Sequence, residues 1–338
     1  MHPELIRSRS QVVKLVRRFF DEQGFLELQT PRLVGLPGQE PYLEPLWTEV
    51  DEVASRKSQV ANHQAALITS PEYAMKRLLA AGFDKIYDLG PCFRNGEPWD
   101  GTHDPEFLMC EWYEKGIGLS EMMDRTEAMI KFVILNGVKN LIPIPSEILR
   151  VAQDDKRFRR LTVEEAMKQY ADVDLEPLLG EREKMAEECR KHGQTVNEMD
   201  TWDDLFFKIF LSEVEPKLGE TPTFLWNYPA SMAALAKQNP DDPRYALRVE
   251  LYIGNLELAN GFVELTDPIE QRKRFEEEQA LRRSLGKDVW PIDERFMEAL
   301  PKMGEAAGMA FGVDRLAMLM AGTESISDLM PIPVRERF

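Results

Sequence analysis

The stretch Arg248 to Val263 puts the tightest constraint on what this chain can fold into. Val249, Leu251 and Ile253 alternate with Glu250 and Tyr252, and Gly254-Asn255 is a two-residue hairpin signal. A tight turn there sets Tyr252 opposite Glu257 and makes Glu250 and Glu257 diagonal neighbours, roughly 7–8 Å apart at the backbone. Two carboxylates so placed repel unless they are solvated or share a cation, and burying them unpaired is costly. Mg²⁺, which takes one or two carboxylates together with substrate phosphates, is the natural partner. Plain alternation then sends Asn260 and Glu264 to the opposite face. The expectation is a bulge at Asn260-Gly261 that returns them to the carboxylate face.

A second constraint lies at Gly308-Met309-Ala310-Phe311-Gly312-Val313-Asp314-Arg315. A strand of small residues enters a helix, Leu316 to Met320, that ends at Gly322. Glycine in such a strand lets a ligand touch backbone, and arginine offers a planar fork of donors suited to phosphate. The plainer alternative is a junction where Arg315 pairs with a nearby carboxylate.

Upstream, Ser70-Pro71-Glu72 opens a helix with a Ser cap, Pro at the first position and an acid in the first turn. In His103 to Tyr113 the period of two puts Phe107, Met109, Glu111 and Tyr113 on one face, with Leu108, Cys110 and Trp112 on the other. An aromatic, a thioether, a carboxylate and a phenol together suit a pocket that stacks a ring and holds an ammonium group. Arg7 to Phe20 reads as an amphipathic helix, Phe25 to Leu28 as a strand, and 35–61 as a surface excursion. Ser120 to Leu218 reads as mostly helical, with charge runs that form solvated faces.

Composition narrows the function classes. A formal net charge of −17 argues against an extended basic face for nucleic acid. The three cysteines are far apart and lack metal spacing, which fits a reducing compartment. No apolar run approaches ~18 residues, so no membrane span is expected and a cytoplasmic protein is.

Arg94 and Arg315 for phosphate, Glu250 and Glu257 for metal, Phe107 for a ring, and Glu72, Glu111, Tyr113 and Glu264 for a cation would be satisfied together by ATP, magnesium and a diamino acid. The chain resembles the catalytic core of class II lysyl-tRNA synthetases. The stretches that match are Ser70-Pro71-Glu72 with Lys76-Arg77-Leu78, Phe93-Arg94-Asn95, and His103-Asp104-Pro105-Glu106-Phe107. Others are Glu111-Trp112-Tyr113, Glu257 to Phe262 with Glu264, and Gly312-Val313-Asp314-Arg315; Thr30-Pro31 resembles the element of the family that usually forms dimers. The expected fold is α+β: an antiparallel sheet flanked by helices, one catalytic domain over 1–338, with a helical insertion at about 120–218.

The chain is too short for the family's N-terminal anticodon-binding domain, so none is expected. That brevity, the acidic balance and Ala310 in place of the usual glycine look closer to a shorter paralogue family, the elongation factor P–(R)-β-lysine ligases. The resemblance implies activation of (R)-β-lysine or lysine as an adenylate and its transfer to a lysine of elongation factor P, by a homodimer with little call for tRNA. It also implies roles for single residues. Arg94 would grip the α-phosphate, Arg315 the phosphate tail, and Glu250 and Glu257 Mg²⁺. Phe107 and Arg315 would sandwich adenine, with His103 near the phosphates and Gly312 in the ATP site. Glu72, Glu111, Tyr113, Asn260 and Glu264 would hold the amino groups, with Ala310 at the pocket floor. The sequence departs from the family where Gly96 intervenes after Arg94-Asn95, which displaces the ATP-site glutamate to Glu97. An activated acyl group with another acceptor, or an inactive regulatory paralogue, are the competing readings.

Overall fold

The computed structural model describes residues 2–53, 60–137, 146–153, 157–219 and 221–338; parts of the 35–61 and 120–218 stretches therefore lie outside the described residues. Eleven strands are described: β1 (Leu26–Glu27), β2 (Leu33–Val34), β3 (Leu46–Val53), β4 (Val60–Leu67), β5 (Lys85–Phe93), β6 (Glu106–Lys115), β7 (Arg159–Thr162), β8 (Thr223–Pro229), β9 (Tyr245–Ile253), β10 (Leu256–Val263) and β11 (Ala306–Gly312). Eight form one sheet in the order β1-β5-β6-β11-β10-β9-β8-β7. Its interior is antiparallel and only the two edge pairs, β1–β5 and β7–β8, run parallel. The other three form a small sheet in the order β2-β4-β3, so the stretch expected as a loose excursion contains strand β3, paired antiparallel with β4.

The alternation of apolar side chains gives the main sheet a closed face and an open one. Cys110 and Trp112 of β6, Val249, Leu251 and Ile253 of β9, and Ala307, Met309 and Phe311 of β11 pack into the main core. Helix Pro3–Glu22 covers that face with Val12, Leu15, Val16, Phe19 and Phe20, the stripe that 3.6-residue periodicity places on one side. Helices Leu119–Gly137 and Val313–Ala321 complete the cover. The start of the expected insertion is thus part of the main core. Helices Val163–Ala171, Arg182–Lys191 and Trp202–Ile209 form a second core against Leu225, Tyr228 and Tyr252.

The hairpin turn between β9 and β10 forms as read. Gly254 and Asn255 both have positive φ, 59° and 60°, and Tyr252 pairs with Glu257. The bulge, however, falls between Glu257 and Ala259 and not at Asn260-Gly261. Leu258 and Ala259 both turn into the closed core, which throws Glu257 and Asn260 onto the open face together. Gly261 has a different task. A Cβ there would lie 2.6 Å from the Gly308 carbonyl oxygen, so only glycine lets β10 and β11 approach.

Candidate active site

The open face of the sheet carries a single row of side chains across five strands. Register pairs Asp88 with Glu111, Glu111 with Ala310, Ala310 with Asn260, and Asn260 with Glu250. At a strand spacing of about 4.8 Å, three steps separate Glu111 from Glu250 by roughly 14 Å. Above this row lies a cavity of about 980 Å³, lined among others by Glu72, Arg94, Glu97, His103, Phe107, Glu250, Glu257, Asn260, Ala310, Gly312 and Arg315. Glu111, Tyr113 and Glu264 do not line it; they are buried beside it, linked to Glu72 as described next.

At the Glu111 end, buried carboxylates crowd together. Tyr113 donates to Glu111 Oε1 at 2.6 Å, leaving Glu111 Oε2 buried without a partner. The Tyr113 ring occupies the space above Gly308, where a Cβ would sit 2.2 Å from a ring carbon. The room that glycine makes at this point of β11 is therefore taken by the chain itself. Lys76, only 1% exposed, bridges the remaining acids: its Nζ donates to Glu72 Oε1 at 2.5 Å and lies 2.6 Å from Glu264 Oε2. The second contact is an ion pair whose angles fall outside hydrogen-bond geometry, and Glu264 Oε1 has no hydrogen-bond partner among the described residues. Burial, reinforced by the Glu72 charge, pushes Glu111 up to about 8. Burial likewise takes Glu264 to about 8, against the pull of Lys76.

The Glu250 end is built differently. Tyr228 and Tyr252 donate to Glu250 Oε2 at 2.5 and 2.6 Å, and Arg248 donates to Oε1. Part of the compensation for this glutamate comes from its own strand: Arg248, two residues earlier, shares its face. The Glu257 carboxylate accepts no hydrogen bond among the described residues, and burial with Glu250 nearby pushes it up to about 7. Glu257 and the remaining lone pair on Glu250 Oε1 fit Mg²⁺ only if substrate phosphates and water complete its shell. Among the described residues no cluster of three His, Cys, Asp or Glu forms a metal cage.

Between these ends stand the cations. Arg315 donates to the Glu257 carbonyl oxygen at 2.7 Å and to His103 Nε2 at 3.2 Å. That leaves Nε2 as the acceptor and Nδ1 as the donor to Asp100, 3.1 Å away. Glu97 Oε2 approaches His103 Nε2 at 3.8 Å, so the displaced glutamate still reaches the site. The plain pairing considered for Arg315 falls to its neighbour: Asp314 accepts from Arg9 at 2.6 Å and from the Leu108 backbone at 2.8 Å. Arg94 forms no ion pair among the described residues, its Nε is buried and unsatisfied, and its guanidinium lies over the Phe107 ring at 5.1 Å. The ring proposed for adenine is thus covered by an arginine of the same site.

Sequence reasoning passed over several groups. Lys76 follows Glu72 by four residues on a helix, a spacing that marks a pair. Arg248 was legible from the same alternation that gave Glu250. Tyr228, Glu40 and Glu278 reach the site only through tertiary packing, and no local signal marks them.

A mostly antiparallel sheet whose open face carries arginines and acids above a single cavity is the architecture of a class II synthetase. The description "tRNA synthetases class II (D, K and N)" matches residues 2–336, and the chain belongs to that family. Among its relatives is the elongation factor P–(R)-β-lysine ligase of Proteus mirabilis, 38% identical over 330 residues, 96% of this chain and 94% of that one. The enzyme of the same name from Vibrio cholerae is 36% identical over 332 residues, 97% and 94% of the two chains. The lysine–tRNA ligase of Mycoplasmoides gallisepticum is 34% identical over 339 residues, 97% of this chain but 64% of its own length. No helix among the described residues is long and apolar enough to cross a membrane.

Proposed function

We propose that this chain is an ATP-dependent ligase that activates (R)-β-lysine, or lysine, as an aminoacyl-adenylate and passes it to a lysine side chain of elongation factor P. One observation carries the reading. A single cavity is flanked at one end of a sheet row by buried acids with unpartnered oxygens and lined toward the other by arginines and a carboxylate pair. A diammonium acid and a nucleotide triphosphate have that same polarity. The near full-length match to ligases of this name supports the acceptor.

In the first step a substrate carboxylate oxygen attacks the α-phosphorus of ATP; the new P–O bond forms as the bond to pyrophosphate breaks. No protein nucleophile is needed, so catalysis is positioning and charge neutralisation. Adenine stacking on Phe107, with Arg315 on its other face, would release the Arg94 guanidinium to the α-phosphate. Arg315 and His103 would meet the phosphate tail, Glu97 the adenine side, and Gly312 would let the nucleotide near the strand. Glu257 and Glu250 would hold Mg²⁺, which when bound neutralises phosphate charge. Glu72, Glu111, Tyr113, Asn260 and Glu264 would hold the amino acid over Ala310. In the second step the acceptor amine, having lost a proton, attacks the acyl carbon and AMP leaves.

The reading covers one catalytic domain with a helical insertion whose Trp202–Ile209 helix and following turn line the cavity. It extends to a homodimer through the Thr30-Pro31 region, to the cytoplasm, and to a protein acceptor in place of tRNA. Lysine-dependent ATP–pyrophosphate exchange tests the first step, and no exchange with any lysine isomer would remove it. Mass spectrometry of elongation factor P after incubation with enzyme, ATP and (R)-β-lysine tests the second. Charging of lysine tRNA with no mass gain on the factor would replace the acceptor.

A further inference from the structure

Three donors make up an ammonium group, and the buried acids beside the cavity leave a matching set of acceptors. Glu111 gives Oε1 to Tyr113 and keeps Oε2 free. Glu72 gives Oε1 to Lys76, while Glu264 turns Oε2 to Lys76 and keeps Oε1 free. Each carboxylate thus commits one oxygen to the protein. Lys76 makes two of those three commitments, from a position only 1% exposed. Two more buried acids face Glu72 from other elements: Glu40, with Arg94 beyond it, and Glu278, near Arg274 and Arg282, which pair with Glu270 and Glu44.

Without Lys76, Glu72 and Glu264 would face each other across its empty position as two desolvated like charges. Such pairs share a proton and turn toward each other. With it, Glu72 and Glu264 each turn one oxygen to a single internal ammonium and keep the other for a ligand.

We propose that Lys76 is a positioning residue of the amino-acid pocket: it engages one oxygen of Glu72 and one of Glu264, and so holds the other oxygen of each turned away from itself for a substrate ammonium group. This rests on the amino-acid subsite of the proposed function and adds the residue that orients that subsite's acids.

The test uses the full chain in ATP–pyrophosphate exchange, with lysine-dependent exchange of the unaltered enzyme as the control on the underlying reading. Lys76→Met is expected to raise KM for lysine roughly tenfold or more, the effect of losing a charge-assisted contact, while KM for ATP moves less than about twofold. Glu72→Gln/Lys76→Met removes one charge of each sign. It is expected to lose less than the product of the two single losses, because both act through one ion pair. Ethylammonium added to Lys76→Ala is expected to recover part of the lysine affinity.

A purely structural lysine would move both KM values together, give multiplicative losses and show no amine rescue; that result overturns the proposal. Should Lys76→Met fail to fold, the charge-balanced double variant decides alone. Lysine affinity at or below that of Glu72→Gln supports the proposal if the deficit is under threefold and overturns it if the deficit exceeds tenfold. Absence of exchange in the unaltered enzyme would instead strike the underlying function.

Discussion

The two ends of the cavity floor bury carboxylates under similar constraint but neutralise them in opposite ways. Glu250 is wrapped by Arg248, Tyr228 and Tyr252, all from the protein. Glu111 and Glu264, buried to 2% exposure, each keep an oxygen that accepts no hydrogen bond among the described residues. A satisfied buried acid is scaffold for its neighbours, here Glu257. An unsatisfied one is pushed by burial toward its neutral form, as Glu111 and Glu264 are, until a cationic ligand favours the charge. The difference marks where substrate ammonium belongs and where phosphate chemistry belongs.

Breaking the phosphate end should cost most. Arg94→Ala is expected to lower lysine-dependent exchange by about 100-fold or more, the usual scale for losing a transition-state donor; nearly intact exchange would remove Arg94 from the chemistry. At the other end, Glu111→Gln is expected to raise KM for lysine by roughly 10- to 100-fold with ATP binding little changed, as for loss of a charged hydrogen bond. Equal effects on both KM values would erase the division between the ends. Ala310 sits between them, paired with Glu111 on one side and Asn260 on the other. Ala310→Gly is expected to shift the ratio of kcat/KM values toward α-lysine by roughly tenfold, the worth of about one methyl group. An unchanged isomer ratio would take Ala310 out of the pocket floor.

The smallest effect is on stability. Glu111 and Glu264 are raised to about 8 in the folded chain, from an ordinary value of 4.5. The folded state therefore binds more protons than the unfolded one between those values. Their contribution is fully present below about pH 4.5 and is lost as pH rises through about 8, by at most about 1.4 kcal/mol per pH unit for each proton. Thermal melts should show Glu111→Gln flattening the loss of Tm between pH 6 and 8.5. Lysine should raise Tm more at pH 8.5 than at pH 6. An identical slope in the variant would contradict the raised Glu111.

Much of the site was legible because strand alternation is a strong signal. It placed Phe107, Glu111 and Tyr113 on one face and set Glu257 against Tyr252. The bulge was misplaced because Gly261 draws attention, whereas the deciding feature is the apolar pair Leu258-Ala259, which must face the core together. Gly308 was read as room for a ligand, but its missing side chain accommodates Tyr113. Both errors share a cause: a glycine states that something approaches, and only the fold states what. The family resemblance supplied residue roles, yet it did not reveal that Lys76 already occupies the acids expected to greet the substrate, a fact of packing between a helix and β10's end.

The most direct test of the contrast between the two ends is ATP–pyrophosphate exchange by the unaltered enzyme with (R)-β-lysine, lysine and norleucine, the last lacking the terminal ammonium. Exchange with at least one lysine isomer at kcat/KM 100-fold or more above norleucine is the predicted result. Norleucine within about threefold of both isomers would contradict it, because the free oxygens of Glu111 and Glu264 would then have no bearing on what the cavity binds.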